Sequence, residues 1–158
     1  MCKLVVRDAD YLDARYLAEN MRHDDRIELE ATSPGCKPLD RILLSMRRSD
    51  FCYAAEFDGE LICIGGAMSL GNGEGLAWML STTAAEKNWR EFARQSKIHI
   101  LPLLSHFSSV FNFVDLRYKK CIGWLLWLGF EIGSNPFPMP PSGLPFVKMI
   151  LRNRPCAN

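Results

Sequence analysis

The stretch FNFVDLRYKKCIGWLLWLGFEI, residues 111–132, constrains the fold more than any other part of the chain. Phe111, Phe113 and Val114 supply apolar strand residues. After a short loop, Lys119 to Leu128 carries an apolar helical face at Ile122, Leu125, Leu126 and Leu128. Gly129 stands where a helix needs a left-handed terminator without a Cβ penalty. Phe130 and Ile132 are then expected on one side of a following strand. Strand, helix and strand in that succession belong to a chain that packs helices against a sheet.

The remaining segments extend the pattern. Lys3 to Val6 reads as a first strand. Asp8 or Asp10 caps a helix with a face at Ala14, Leu17, Ala18 and Met21. Residues 23–36 are polar and include Ser33-Pro34-Gly35, so they are expected to be mostly loop. Pro38, a favoured first helical position, opens a helix with a face at Leu39, Ile42, Leu43 and Met46. Residues 51–57 and 61–69 are apolar runs divided by Asp58-Gly59, a hairpin signal. Gly71-Asn72-Gly73 turns the chain into a third strand, residues 75–81. A long helix is expected over 84–106, kinked or ended by Pro102. A Pro-rich segment near 135–145 excludes regular helix and central strand, residues 144–151 form a last strand, and the C-terminus frays. The order β-α-α-β-β-β-α-β-α-β-β predicts an α/β (α+β) fold, with a mixed, mostly antiparallel central sheet flanked by helices. A length of 158 residues predicts one domain over 1–158.

Composition excludes several classes. The net charge is +1 and no dense Lys/Arg run occurs, so nothing points to nucleic acid. No apolar stretch of about 18 residues predicts a membrane span, and the N-terminus lacks a signal peptide's apolar region. The chain is expected in a cytoplasm unless another assembly carries it out. The six cysteines show no CxxC spacing, so no zinc site is expected, and Cys52, Cys63 and Cys121 read as small buried hydrophobes. His99 and His106 are seven apart, not the four of a chelating helical pair.

Taken together, the element order and the Leu128-Gly129-Phe130 helix end resemble the GNAT superfamily of N-acetyltransferases. A narrower resemblance is to a GNAT-like family of short-tailed bacteriophages that includes an internal virion protein of podoviruses. It rests on Leu17-Ala18 with Met21-Arg22, Asp25 and Glu28, on Trp78 followed by Thr82, and on Val114-Asp115 before Trp124-Leu125 and Leu128-Gly129-Phe130.

The broader resemblance implies acetyl-coenzyme A. In that superfamily a splayed strand bonds the pantetheine, and a glycine-rich loop at the next helix holds the pyrophosphate. The matching stretch here is Leu80, Ser81, Thr82, Thr83, Ala84, Ala85, Glu86, Lys87, Asn88 and Trp89, without a glycine. If the coenzyme binds, Leu80, Ser81, Thr82, Thr83, Ala84, Ala85 and Lys87 are its candidate contacts; the alternative is a Ser/Thr cap that binds nothing. The superfamily's acid tyrosine falls on Leu125 and its asparagine on Tyr118, so the conditional catalytic candidates are Tyr118 as acid and Glu74 as base.

Two functions follow. The first is a phage structural or assembly protein, an internal virion protein on a degenerate acetyltransferase scaffold, without catalysis or cofactor. Its partners are other virion proteins and its location is the host cytoplasm, then the virion. Its expected partner-binding residues are Arg22, Asp25 and Glu28 in a mixed-charge loop, Trp124 and Trp127, and Phe137 in the Pro-rich segment. Core packing of both indoles is the alternative for Trp124 and Trp127. The second function is an active N-acetyltransferase that modifies a host or phage amine.

Overall fold

The computed structural model of the chain describes residues 4–153. Lys3, Cys2, Cys156 and the C-terminus expected to fray lie outside the described residues. Strand β1 (Leu4–Asp8) leads into helix α1 (Tyr11–Asn20). Asp10 starts α1 by accepting the Asp13 N–H while the Asp13 carboxylate accepts the Asp10 N–H, a reciprocal capping box. Helix α2 (His23–Thr32) follows, where the sequence reading expects loop. The correction has a physical cause. The inward face of α2 carries Asp25 beside Leu29, and Arg22 just precedes the helix, so no apolar stripe announces it. Helix α3 (Pro38–Arg48) has Pro38 in its first turn, as expected.

Strands β2 (Phe51–Phe57), β3 (Glu60–Gly71) and β4 (Glu74–Ser81) form the antiparallel meander. The first hairpin turns through Asp58 and Gly59, both at positive φ, where glycine carries no Cβ penalty. The expected long helix divides at Asn88 into α4 (Ala84–Lys87) and α5 (Trp89–Leu104). Pro102 lies within the last turn of α5. Strand β5 (Ser109–Asp115) and helix α6 (Lys119–Leu128) come next, and Gly129 ends α6 at φ +107°. Strand β6 (Glu131–Ile132) is only two residues long. Phe130 precedes it and is buried, whereas Ile132 is exposed, so the two do not share a face. The Pro-rich segment contributes β7 (Phe137–Met139), confined to an edge against β8 (Leu144–Arg152).

The eight strands make one mixed sheet in the order β1-β2-β3-β4-β5-β8-β6, with β7 also on β8. Among the described residues, only β4 and β5 run parallel. One core cluster packs α5 and α6 against the sheet through Phe92, Trp124, Leu128 and Phe130. Another seats α1 and α3 through Leu17 and Ile42. Among the described residues, no helix is long and apolar enough to cross a membrane.

Candidate functional site

The parallel pair β4 and β5 is joined at three positions only, ending at Leu76↔Phe111. Beyond that point β4 stays paired with β3 as far as Ser81, and β5 stays paired with β8 as far as Asp115. The two strands therefore diverge toward their C-terminal ends. A cavity of about 470 Å³ occupies the divergence, with Phe51, Tyr53, Trp78, Met79, Phe113 and Leu125 among its walls. Trp78 is fixed there by donating its indole N–H to the Ser49 hydroxyl at 2.8 Å.

Helix α2 straps the open end. Asp25 Oδ2 accepts the Ser81 N–H of β4 at 2.7 Å. One turn along, Glu28 Oε2 accepts the Asp115 N–H of β5 at a longer 3.4 Å. Spacing of three on one helix face thus joins both strand ends. Arg22 donates to Asp25 Oδ1 at 2.9 Å, and its guanidinium lies 4.9 Å from the centroid of the Tyr118 ring. The Tyr118 hydroxyl donates to Asp25 Oδ1 at 3.4 Å. Arg22 is 8% exposed, and its Nε has no hydrogen-bond partner.

Desolvation dominates the electrostatics of this group. Burial pushes the Asp25 carboxyl up to about 6, although Arg22 and the Ser81 N–H favour its charged form. Burial likewise raises Glu28, to about 8, assisted by the nearby Asp25 and Asp115 charges. Asp115 moves the other way, because Arg117 chelates its carboxylate.

The residues expected to meet a coenzyme are placed differently from an anion cradle. The Ser81 N–H goes to Asp25, the Thr82 N–H to Ile62 O at 2.8 Å, and the Thr83 N–H to Asn20 O at 3.1 Å. The Thr82 hydroxyl donates to Leu61 O. The Ala85, Glu86 and Asn88 N–H groups bond within the turn itself. Ala84 and Ala85 are buried core residues, so their small size serves packing under α4. Thr83 and Lys87 are exposed, with the acidic Glu86 beside them. This arrangement does not fit a pyrophosphate, because the Ser81, Thr82, Thr83, Ala85 and Glu86 amides are already used and a carboxylate holds the strand end. Leu80 alone of that set lines the cavity.

The other candidate residues fall into different surroundings. Glu74 lies at the paired end of β4, opposite Ser109, about 23 Å of strand from Ser81 at the usual rise per residue. It cannot act at the open end. Tyr118, the conditional acid candidate, is buried within the polar group. Arg22 and Asp25 are buried rather than displayed to a partner, and only the edge of Glu28 meets solvent. Trp124 is 7% exposed, donates to Ser96 Oγ at 3.1 Å and packs against Trp89 and Phe92. Trp127 is 47% exposed, with Lys97 Nζ 3.9 Å from its ring centroid. Phe137 is half-buried against Phe113. Leu125, at the superfamily's acid position, is a buried wall of the cavity. Asp115 was not singled out as a site residue. The signal that finds the group is the run Arg22, Asp25, Glu28, three charges at helical spacing that require buried partners if α2 faces inward.

Among the described residues, no cluster has metal-ligand character. No protein-family model and no curated protein sequence matches the chain. Solved structures do match. The protein yncA of Salmonella typhimurium, described as an acetyltransferase and solved with its cofactor acetyl-CoA, is 13% identical with a TM-score of 0.72, over 98% of this chain and 96% of that one. The ribosomal-protein-S18-alanine N-acetyltransferase of Escherichia coli is 11% identical with a TM-score of 0.69, over 99% and 97%. The spermidine N-acetyltransferase of Vibrio cholerae, solved with CoA and spermine, is 11% identical with a TM-score of 0.72, over 95% of each chain. At these identities the likeness establishes architecture alone: the chain has the GNAT N-acetyltransferase fold.

Proposed function

We propose that this chain is a non-acetylating protein on the GNAT fold, whose work is to bind other proteins during assembly of a phage particle. The observation that carries the reading is the strap of α2. Asp25 occupies the Ser81 N–H at the open end of β4, and the Thr82, Thr83, Ala85 and Glu86 amides after it are bonded to other backbone carbonyls of the chain. The residues of the narrower resemblance support it as well. Met21 bridges to Thr82, Arg22 pairs with Asp25, and Glu28 reaches Asp115, so a set scattered over the sequence makes one interior network. Trp127, with Leu126 and Ile98 also exposed, supplies an apolar surface suited to a partner.

A second reading, an acetyl-CoA-dependent N-acetyltransferase, draws on the open gap and on Glu28. A carboxyl near neutrality beside a cavity has the character of a general base, and Glu28 would replace Glu74 in that role. Calorimetry with acetyl-CoA, followed by an acetylation assay on peptide amines at pH 7, decides between the two. The first reading expects no heat of binding and no transfer. Robust transfer that Glu28→Gln abolishes establishes the second. Mass spectrometry of purified particles tests the phage role, and absence of the chain from them refutes it.

A further inference from the structure

We propose that the outer face of α6, with the neighbouring turn of α5, docks an amphipathic helix of net negative charge from a partner protein, whose apolar ridge crosses α6 at Gly123 and packs against Trp127. The inference rests on the protein-binding reading above and names the chemistry of its partner.

Three observations carry it. The first is Gly123. It stands exposed in the middle of α6, where glycine weakens a helix relative to alanine. A Cβ added there would meet nothing within 4 Å, and the backbone is not at positive φ. The fold itself therefore has no use for the missing side chain. Bare helix backbone at the surface lets a second helix cross at close range, since the side chains at a crossing set the distance between the axes.

The second is what surrounds it. Lys119, Lys120, Gly123, Leu126 and Trp127 are the exposed residues of α6, and their spacings of three, four and seven place them on one face. Beside Trp127, α5 contributes Lys97, with Nζ 3.9 Å from the ring centroid, and the exposed Ile98. Leu126, Trp127 and Ile98 do not line the cavity between β4 and β5, so this apolar ridge is a separate surface.

The third is charge. Helices α5 and α6 carry Arg90, Arg94, Lys97, Lys119 and Lys120 against one carboxylate, Glu91, which leaves a net +4. The whole chain is +1, so its other residues sum to −3. Arg94 takes Glu91 at 2.6 Å, and among the described residues no ion pair takes Arg90, Lys97, Lys119 or Lys120. Lys119 and Lys120 also stand in the first turn of α6, against the helix dipole. Such a face attracts carboxylates and repels a second copy of itself. A bilayer fits it poorly, because burying Trp127 in hydrocarbon would carry the Lys97 charge with it. Phosphates of a nucleic acid would pair the lysines but leave Leu126 and Ile98 without apolar cover. An acidic helix answers both, with carboxylates for the lysines and an apolar ridge for Trp127.

The test uses the full chain, immobilised, and three displayed libraries of amphipathic helices about 20 residues long. The libraries share one apolar face and differ in their flanks: acidic, uncharged and basic. The expected result is selective enrichment of acidic helices, lost as NaCl is raised. Gly123→Ala should raise the melting temperature yet weaken binding about fivefold, a separation that a purely structural glycine would not give. Trp127→Ala should weaken binding about tenfold. Lys97→Glu combined with Lys120→Glu should turn the enrichment toward basic helices. Equal enrichment of the three libraries, or binding that Gly123→Ala leaves unchanged, overturns the proposal. Phosphatidylglycerol vesicles and single-stranded DNA run as separate arms, and Trp127-dependent binding to either, with no helix retained, overturns it as well. An acetylation assay on peptide amines runs in parallel. If acetyl groups are transferred and no helix is retained, both this proposal and the reading beneath it fall. If there is neither transfer nor a retained helix, this proposal alone falls.

Discussion

The two edges of β4 meet opposite fates. Toward β3 the strand is stitched along its whole length, from Gly71↔Glu74 to Cys63↔Ser81. Toward β5 it is joined at three residues and then released. The sealed edge is closed by packing: Gly65 and Gly66 let β3 lie against Trp78 and Met79. The released edge is closed by charge, through Arg22, Asp25 and Glu28 from a neighbouring helix. Closure by packing gains from desolvation, whereas closure by charge works against it. The difference shows why one edge is a wall and the other a site.

Three substitutions bear on that contrast, from the largest expected effect to the smallest. Asp25→Ala leaves the Arg22 guanidinium buried without its counter-charge and frees the Ser81 N–H. It should cost about 3–5 kcal/mol, read as a lowered urea midpoint at pH 7. A loss within error of zero would mean that the strap holds nothing.

On the sealed edge, a Cβ at Gly66 would lie 2.6 Å from the Phe51 carbonyl oxygen. The backbone must shift, so Gly66→Ala should cost about 1–3 kcal/mol in the same experiment. Equal tolerance of Ala at Gly66 and at the open Gly123 would remove the packing half of the comparison.

Glu28 has a pH signature. Its carboxyl is raised to about 8 when folded, above the ordinary value near 4.5 of an unfolded chain. Between these values the folded state holds the extra proton, so this group lowers stability as pH climbs from about 4.5 to about 8. Glu28→Gln keeps an acceptor for the Asp115 N–H and removes that penalty. The variant should match the parent at pH 4 and exceed it by about 1–2 kcal/mol at pH 8, in melting curves across the range. A gap that widens toward low pH would reverse the assignment.

How much of this was legible in the residues depends on range. Asp58-Gly59, Pro38 at a helix start and Gly129 at a helix end act within a few residues, and each was readable. The Asp10 cap was narrowed to two candidates, and the capping box with Asp13 decides between them. Helix α2 was lost because its inward face is charged, and apolar periodicity is the signal that identifies a helix. Trp124 and Trp127 were indistinguishable at a spacing of three, yet one lies under α5 and the other faces solvent.

By itself, then, the chain determined most of its strands and helices, α2 excepted, because turns, caps and propensities are local chemistry. It also determined the order of those elements, and with it the architecture. Tertiary structure alone decided the site. Tyr118 and Asp25 are 93 residues apart, Asp115 and Glu28 are 87 apart, and Ser81 and Asp25 are 56 apart. The protonation of these acids follows from loss of water, and each residue loses its water only when the others arrive. No spacing along the chain encodes that, because desolvation is a property of the packed interior.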